Sequence, residues 1–224
     1  MHMRNFRKTR DEHGFTLVEL IIATAITGLI MAGVAGMLSA VLVNAGATEA
    51  RMTQTHDGQS AAAYFAQDVN AMGVRDWTDD ARPSQPSAEA GAPYNGGRYP
   101  CGPVGTPNAL VRMAWNDFDA ASPATAKLDV VAYVVEATGP GGGLQLHRLL
   151  CQGGTLRSDQ VLVRTLSASH PASVVCTTAL PNPPGDPCAA NPPPTGINVT
   201  VTVHDPKNKS PDYSLTLSGH RMQT

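Results

Sequence analysis

Charged residues are scarce in this chain. Asp, Glu, Lys and Arg make up only 15% of its 224 residues, whereas about 25% is usual for soluble globular proteins. The formal net charge is −2, and no basic patch lies beyond the amino-terminal segment. Electrostatic binding of DNA or RNA depends on such a patch, so no nucleic-acid partner is predicted.

Sequence motifs of the common enzyme classes are also missing. The chain has no Cys-x-x-Cys pair and no Gly-x-Ser-x-Gly elbow, and its seven His residues do not stand at metal-ligand spacing. The Gly-rich segment 139–143 lacks the Lys-Ser/Thr ending of a phosphate-binding loop. We interpret His204-Asp205 as the start of a turn rather than half of a catalytic dyad. No catalytic residue, metal site or cofactor is therefore predicted, and the protein is not expected to be an enzyme.

The longest apolar stretch lies near the amino terminus. Leu20–Val43 contains no charged residue, and about 24 residues are enough to span a bilayer as a helix. Glu49 and Arg51 follow this stretch without a basic excess. Four basic residues precede it: Arg4, Arg7, Lys8 and Arg10. The length of the stretch predicts a transmembrane helix over residues 15–45. The positive-inside rule predicts its orientation, with a cytoplasmic amino terminus and an exported carboxy-terminal part.

One acid, Glu19, lies at the start of this stretch, where a carboxylate in lipid is costly and usually functional. A plain signal anchor does not explain it. A cleaved secretory signal, with Ala45-Gly46-Ala47 as a small-residue cleavage site, does not explain it either, and its apolar region would be shorter, about 7–15 residues. The third alternative is a leader that is removed at the cytoplasmic edge of the membrane.

Residues 14–20 favour that third alternative. They read Gly-Phe-Thr-Leu-Val-Glu-Leu and resemble the processing motif of type IV pilins and type II secretion pseudopilins. The resemblance implies that residues 1–14 are a leader, that a prepilin peptidase cuts after Gly14, and that Phe15 becomes the N-methylated amino terminus. It also implies that Glu19 pairs with the amino terminus of a neighbouring subunit during assembly, which would compensate two charges that are costly in lipid.

Three glycines, Gly28, Gly33 and Gly36, interrupt the apolar stretch. In the family this region often holds helix breakers and loosens in the filament, but Gly36 stands where a Pro is common. Small residues also allow membrane helices to pack closely. Both interpretations remain open.

Residues 46–76 are amphipathic and predict that the helix continues outward, with Gly58 as a possible kink. Their apolar side chains recur at near-helical spacing and are expected to form core contacts with a sheet. These are Tyr64, Phe65, Val69 and Met72.

Strand patterns fill much of the exported domain, residues 77–224. Ile197–His204 alternates apolar and polar residues and is expected to pair with Tyr213–Leu217 as a hairpin. Other predicted strands are Ala109–Trp115, Lys127–Ala137, Gly143–Cys151, Gln160–Leu166 and Ser173–Thr177. Two Pro-rich segments, 80–107 and 181–195, predict exposed loops, with Tyr94, Arg98 and Tyr99 in solvent. The fold class is α+β, in agreement with the pilin layout of a long amino-terminal helix packed on a carboxy-terminal antiparallel sheet.

Four cysteines lie in the exported part. An even count in an exported domain favours two disulfides, with three possible connectivities. We favour Cys176–Cys188, which closes a short Pro-rich loop, together with Cys101–Cys151.

The resemblance implies a structural role. We expect a minor pilin in the inner membrane that assembles through its helix and helps to initiate assembly or presents a surface to partners. Its expected partners are prepilin peptidase, other pilin subunits, the inner-membrane assembly platform and membrane lipid. In outline, Leu128–Leu166 also resembles PilW-type minor pilins and the J pseudopilin of type II secretion. A J-type pseudopilin, an adhesin or DNA-uptake pilin, and an unprocessed membrane-anchored domain are the alternatives.

Overall fold

The computed structural model describes residues 14–75, 84–117, 127–139, 142–179, 185–205 and 211–222. The chain divides into two compact units, Met1–Glu49 and Ala50–Thr224. Most of the predicted leader, residues 1–13, lies outside the described residues.

A single long helix, α1, covers Leu17–Ala71. It is helical through Gly28, Gly33, Gly36 and Gly58, and it ends five residues before the predicted boundary at 76. By length and composition, α1 is able to cross a membrane.

In the described part of the chain, ten strands follow α1, and an antiparallel sheet dominates the second unit. The strands are β1 Val74–Arg75, β2 Ser84–Gln85, β3 Ala88–Ala90, β4 Ala109–Asp117, β5 Lys127–Ala137, β6 Leu144–Gln152, β7 Thr155–Leu166, β8 Ser173–Thr177, β9 Gly196–Val203 and β10 Tyr213–His220. The sheet order is β10-β9-β7-β6-β5-β4-β3, β8 pairs with β9, and β1 and β2 form a separate ladder. The predicted α+β class with an antiparallel sheet is confirmed.

Strand β7 begins earlier than the predicted Gln160 because a tight turn joins it to β6. Gly153 and Gly154 have φ of 57° and 79°, a conformation that glycine adopts without a steric penalty. Strand β9 pairs with β7 only at Leu166↔Val203, and its residues 196–200 pair with β8.

The main core lies between the second half of α1 and the sheet. Phe65, Val69 and Met72 are fully buried, as predicted, and the Phe65 and Tyr133 rings meet edge to face at 5.1 Å. Tyr64 is 38% exposed instead, and its ring lies 5.2 Å from the guanidinium carbon of Arg148. The predicted alternation is confirmed in β9, whose apolar side chains are all buried.

The prediction of an exposed loop over residues 80–107 was wrong in part. Ala88–Ala90 forms an edge strand on β4, and Tyr99 is 4% exposed, with its hydroxyl donating to the Pro86 carbonyl.

Arg112 is completely buried and binds several backbone groups of this segment. Its guanidinium donates to Glu89 at 3.0 Å and to the carbonyl oxygens of Gly96, Tyr99, Ala92 and Pro93.

The second Pro-rich segment is also less exposed than predicted. Within 185–195, Cys188 and Ala190 are buried, as are Pro193 and Pro194. The disulfides are Cys101–Cys151 and Cys176–Cys188, with Cα atoms 5.7 and 5.1 Å apart, the pairing favoured from the sequence. Removing residues 181–195 would therefore also remove a disulfide and core contacts, so such a deletion cannot isolate a ligand-binding role.

Candidate assembly and processing site

The start of α1 is a complete capping box formed by Thr16 and Glu19. The Thr16 backbone N–H and hydroxyl donate to Glu19 Oε2 at 3.2 and 3.1 Å, and the Glu19 N–H donates to Thr16 Oγ1 at 3.2 Å. This reciprocal arrangement satisfies amide groups that a helix start leaves unpaired. A carboxylate in the first turn also interacts favourably with the helix dipole. Glu19 therefore has a local structural role within one chain, which the Thr-x-x-Glu spacing signals and which our sequence analysis missed.

The predicted cleavage point lies immediately before this cap. Gly14, Phe15 and Thr16 precede the helix and are exposed, with Phe15 at 84%. A Cβ atom built at Gly14 would meet nothing within 4 Å. The Gly14–Phe15 peptide bond is therefore outside the helix and open to a peptidase, and the first helical residue follows two positions later.

The first unit presents an almost continuous apolar surface. The large hydrophobic side chains of α1 from Leu17 to Val43 are all at least half exposed, whereas soluble monomers rarely expose large apolar patches. Gly28, Gly33 and Gly36 have open space around their Cα atoms. Such a surface suits lipid or the helices of neighbouring subunits.

Residues 9–35 match the family model described as the prokaryotic N-terminal methylation motif. The chain is type IV pilin-like. The motif marks a pilin or pseudopilin subunit that is a structural substrate of prepilin peptidase, and it implies assembly with other pilins. The motif and the amino-terminal apolar helix suit a membrane-anchored pilin. No match was found among the curated proteins or the solved structures.

A buried ionic cluster holds α1 of this pilin-like chain on its sheet. Asp68 of α1 is 2% exposed and receives two hydrogen bonds from Arg148 of β6, at 2.6 and 2.7 Å. It also accepts one from the Tyr133 hydroxyl at 2.6 Å. Burial and the adjacent Asp68 carboxylate raise the pKa of Tyr133. Burial alone would lower the pKa of Arg148, but its hydrogen bonds and ion pair with Asp68 raise it overall.

A second ion pair joins the same helix face to β7. Asp57 is 7% exposed and binds Arg164, whose side chain is 55% exposed. Asp57 and Asp68 are eleven residues apart, about three helical turns, so they share the face that carries Phe65. Sequence analysis missed both acids, although their position on the apolar face of an amphipathic helix was a signal.

The histidine and acid positions form no candidate metal centre among the described residues, where no cluster of three or more His, Cys, Asp or Glu side chains was found. His204 Nδ1 lies 2.7 Å from Asp212 Oδ1, across the β9–β10 hairpin. His147 of β6 makes a similar contact with Asp159 of β7, at 2.7 Å. The first pair lies just beyond the adjacent ends of β9 and β10, and the second joins two neighbouring strands.

Proposed function

We propose that the chain is a minor pilin, a low-copy subunit of a type IV pilus-like filament. The observation that carries the proposal is the methylation motif at residues 9–35, which overlaps the start of an exposed apolar helix of membrane length. Prepilin peptidase would cut after Gly14 and methylate Phe15. The helix would lie in the inner membrane, surrounded by lipid, with its amino terminus in the cytoplasm and the sheet domain outside.

Assembly would use α1. Once Gly14 is removed, the Phe15 ammonium is two residues from the start of the helix, and an ammonium and a carboxylate that are each costly in lipid can compensate each other between subunits. We propose that Glu19 receives the amino terminus of a neighbouring subunit in addition to capping its own helix. The inner-membrane assembly platform would bring the subunits together, and the sheet domain would aid initiation or contact other surfaces.

The mature amino terminus tests the processing step. Mass spectrometry of the protein from its host should find N-methyl-Phe15 as the first residue. A chain that begins at Met1, or near Thr48 after secretory cleavage, would contradict the proposal.

Copy number tests the minor role. Quantitative mass spectrometry of purified filaments should find this chain at a small fraction of the most abundant pilin. A chain equal in abundance to that pilin would be a major subunit. A chain that co-fractionates with a type II secretion complex, with its gene beside the genes of that complex, would be a J-type pseudopilin instead.

A further inference from the structure

Among the described strands, β10 is outermost in the sheet and has a long free edge. All eight residues of β10 pair with β9 without a shift in register. Among the residues that the structure describes, no strand pairs with the other edge of β10.

The hydrogen-bond register identifies which backbone groups point away from the sheet. The Arg221 N–H donates to the Thr195 carbonyl at 2.9 Å, one step beyond the His220↔Gly196 pair. Residues of an antiparallel pair alternate between hydrogen-bonded and non-hydrogen-bonded positions. Arg221 is thus at a hydrogen-bonded position, and His220 and every second residue before it are at non-hydrogen-bonded positions. The N–H and C=O groups of these residues point to the free edge. They are all exposed: Ser214, Thr216, Ser218 and His220.

Side-chain contacts agree with this assignment. The hydroxyl groups of Thr216 and Thr200 lie 3.1 Å apart, and these two residues are directly opposite each other in the ladder. Side chains approach most closely at non-hydrogen-bonded positions, so the backbone groups of Thr216 point to the free edge.

This edge lacks the devices that usually protect sheet edges. Natural proteins shorten such strands or add charged residues, prolines or bulges. Tyr213–His220 contains no Asp, Glu, Lys, Arg or Pro, and its register is regular. The opposite edge differs, because β3 has only three residues and includes Glu89.

We propose that the free edge of β10 is a strand-addition site for an extended, uncharged segment of a different pilin-type subunit. Main-chain hydrogen bonds would supply affinity, as in other cases of strand addition to a sheet edge. The proposal rests on the proposed function, because the methylation motif is what identifies pilin-type subunits as partners.

The direction of β10 disfavours a second copy of this chain as the occupant. A Cβ atom at Gly58 would lie 3.5 Å from Leu215, and one at Gly219 would lie 2.5 Å from Val69. Gly58 therefore lies beside Leu215, and Val69 lies beside Gly219. Because residue numbers increase together along the helix and the strand, β10 runs in the same direction as the α1 residues that cover it. Two copies whose helices lie side by side in one direction would present parallel β10 strands, so they cannot pair their edges antiparallel, the commoner arrangement.

Photocrosslinking in the intact host tests the proposal. The full chain would carry a photoreactive amino acid at Ser218, on the free edge, or at Thr200, one strand inside on β9. Adducts would be identified by mass spectrometry, and cleavage after Gly14 and presence in purified filaments would be measured in the same samples. We expect the Ser218 position to give an adduct with a different subunit that carries a prepilin-type motif, and the Thr200 position to give little.

A second variant tests the main-chain bonds. Thr216→Pro removes an outward N–H and leaves the inward ladder with β9 in place. It should lower the Ser218 adduct about tenfold, because one hydrogen bond and close strand approach are both lost.

Three results would overturn the edge proposal: no Ser218 adduct with another pilin-type subunit, equal adducts from the two positions, or an adduct only with a second copy. An unchanged adduct in a folded Thr216→Pro variant would also overturn it. If the chain is cleaved and present in filaments, those results leave the minor-pilin proposal intact. Absence of the wild-type chain from filaments would count against that function instead.

Discussion

Asp68 on α1 and Arg148 on β6 form a buried bidentate ion pair across the helix–sheet interface. Arg148 Nη2 lies 2.6 Å from Asp68 Oδ1, and Arg148 Nε lies 2.7 Å from Asp68 Oδ2. The Arg148 side chain is 10% exposed and the Asp68 side chain is 3% exposed. Because neither charge can return to water without opening the interface, this pair ties the position of the helix to the sheet.

Arg148→Met should therefore destabilise the domain strongly. The methionine keeps an apolar stem but leaves the Asp68 carboxylate buried without its cation, which typically costs about 3–5 kcal/mol. Arg164→Met is the comparison variant, with a smaller expected loss. It also leaves a buried carboxylate, Asp57, but the Arg164 side chain is 55% exposed, so water reaches that ion pair. Urea unfolding of the detergent-solubilised chain measures both. Equal losses would mean that burial does not set the strength of these pairs.

Two glycines at the interface of α1 with β10 should respond in opposite directions to the same substitution. A Cβ atom at Gly219 would lie 2.5 Å from Val69 Cβ, so Gly219→Ala should destabilise by about 1–3 kcal/mol through overpacking. A Cβ atom at Gly58 would be in ordinary contact with Leu215, at 3.5 Å. Gly58→Ala should therefore stabilise by about 0.5–1 kcal/mol through helix propensity. Thermal unfolding of the two variants should show shifts of opposite sign, and shifts of the same sign would disprove the close-contact argument.

Substitutions in the capping box separate the two roles of Glu19. Glu19→Gln keeps an acceptor for the Thr16 groups but removes the charge, so it should allow cleavage after Gly14 and prevent incorporation into filaments. Thr16→Ala removes the hydroxyl of the cap and keeps the charge, so incorporation should continue. Immunoblots of purified filaments and N-terminal mass spectrometry provide the readouts. Normal incorporation of Glu19→Gln would eliminate the proposed charge pairing.

The two disulfides should differ in their contribution to stability. Cys101–Cys151 closes a separation of 50 residues and Cys176–Cys188 one of 12. The chain-entropy relation then gives about 4 and about 3 kcal/mol. Paired Cys→Ala variants, Cys101→Ala/Cys151→Ala and Cys176→Ala/Cys188→Ala, compared by urea unfolding, should therefore show the larger loss for the first pair. The reverse order would indicate that local packing, and not loop length, dominates.

Alkaline pH should weaken the domain. Burial raises the pKa of Tyr99 from 10.0 to about 12. Above pH 10 the unfolded chain therefore loses a proton that the folded chain retains, and the free energy of unfolding falls as the pH rises towards about 12. Tyr99→Phe should show a shallower decline over that window than wild type in urea titrations at several pH values. Parallel declines would show that Tyr99 does not contribute to the pH dependence.

Several parts of the fold were predictable because they depend on local pattern. The alternation in Ile197–His204 places every second side chain on the core face, and the structure confirms it. The helical spacing of Phe65, Val69 and Met72 likewise predicted their burial. Strand starts were less accurate, since β7 begins at a turn whose conformation depends on Gly153 and Gly154.

The contacts of the described Pro-rich residues were not predictable by the same means. Prolines exclude a helix in residues 80–107, but no short pattern indicates that Arg112 binds carbonyl groups of that segment 13 to 20 residues before it in the chain. For Asp57 and Asp68, the position on the apolar helix face was a local signal of burial, but their partners were not predictable, because these are 107 and 80 residues away along the chain.

The amino-acid sequence by itself determined the processing motif, the apolar helix of membrane length and the α+β class, because these depend on consecutive residues or on short periodic patterns. Only the tertiary structure decided which residues the buried acids of α1 pair with, how the loop around Tyr99 is held, and which of the described strands leaves its edge free. Those features arise from contacts between residues far apart in the chain, and no local pattern specifies them.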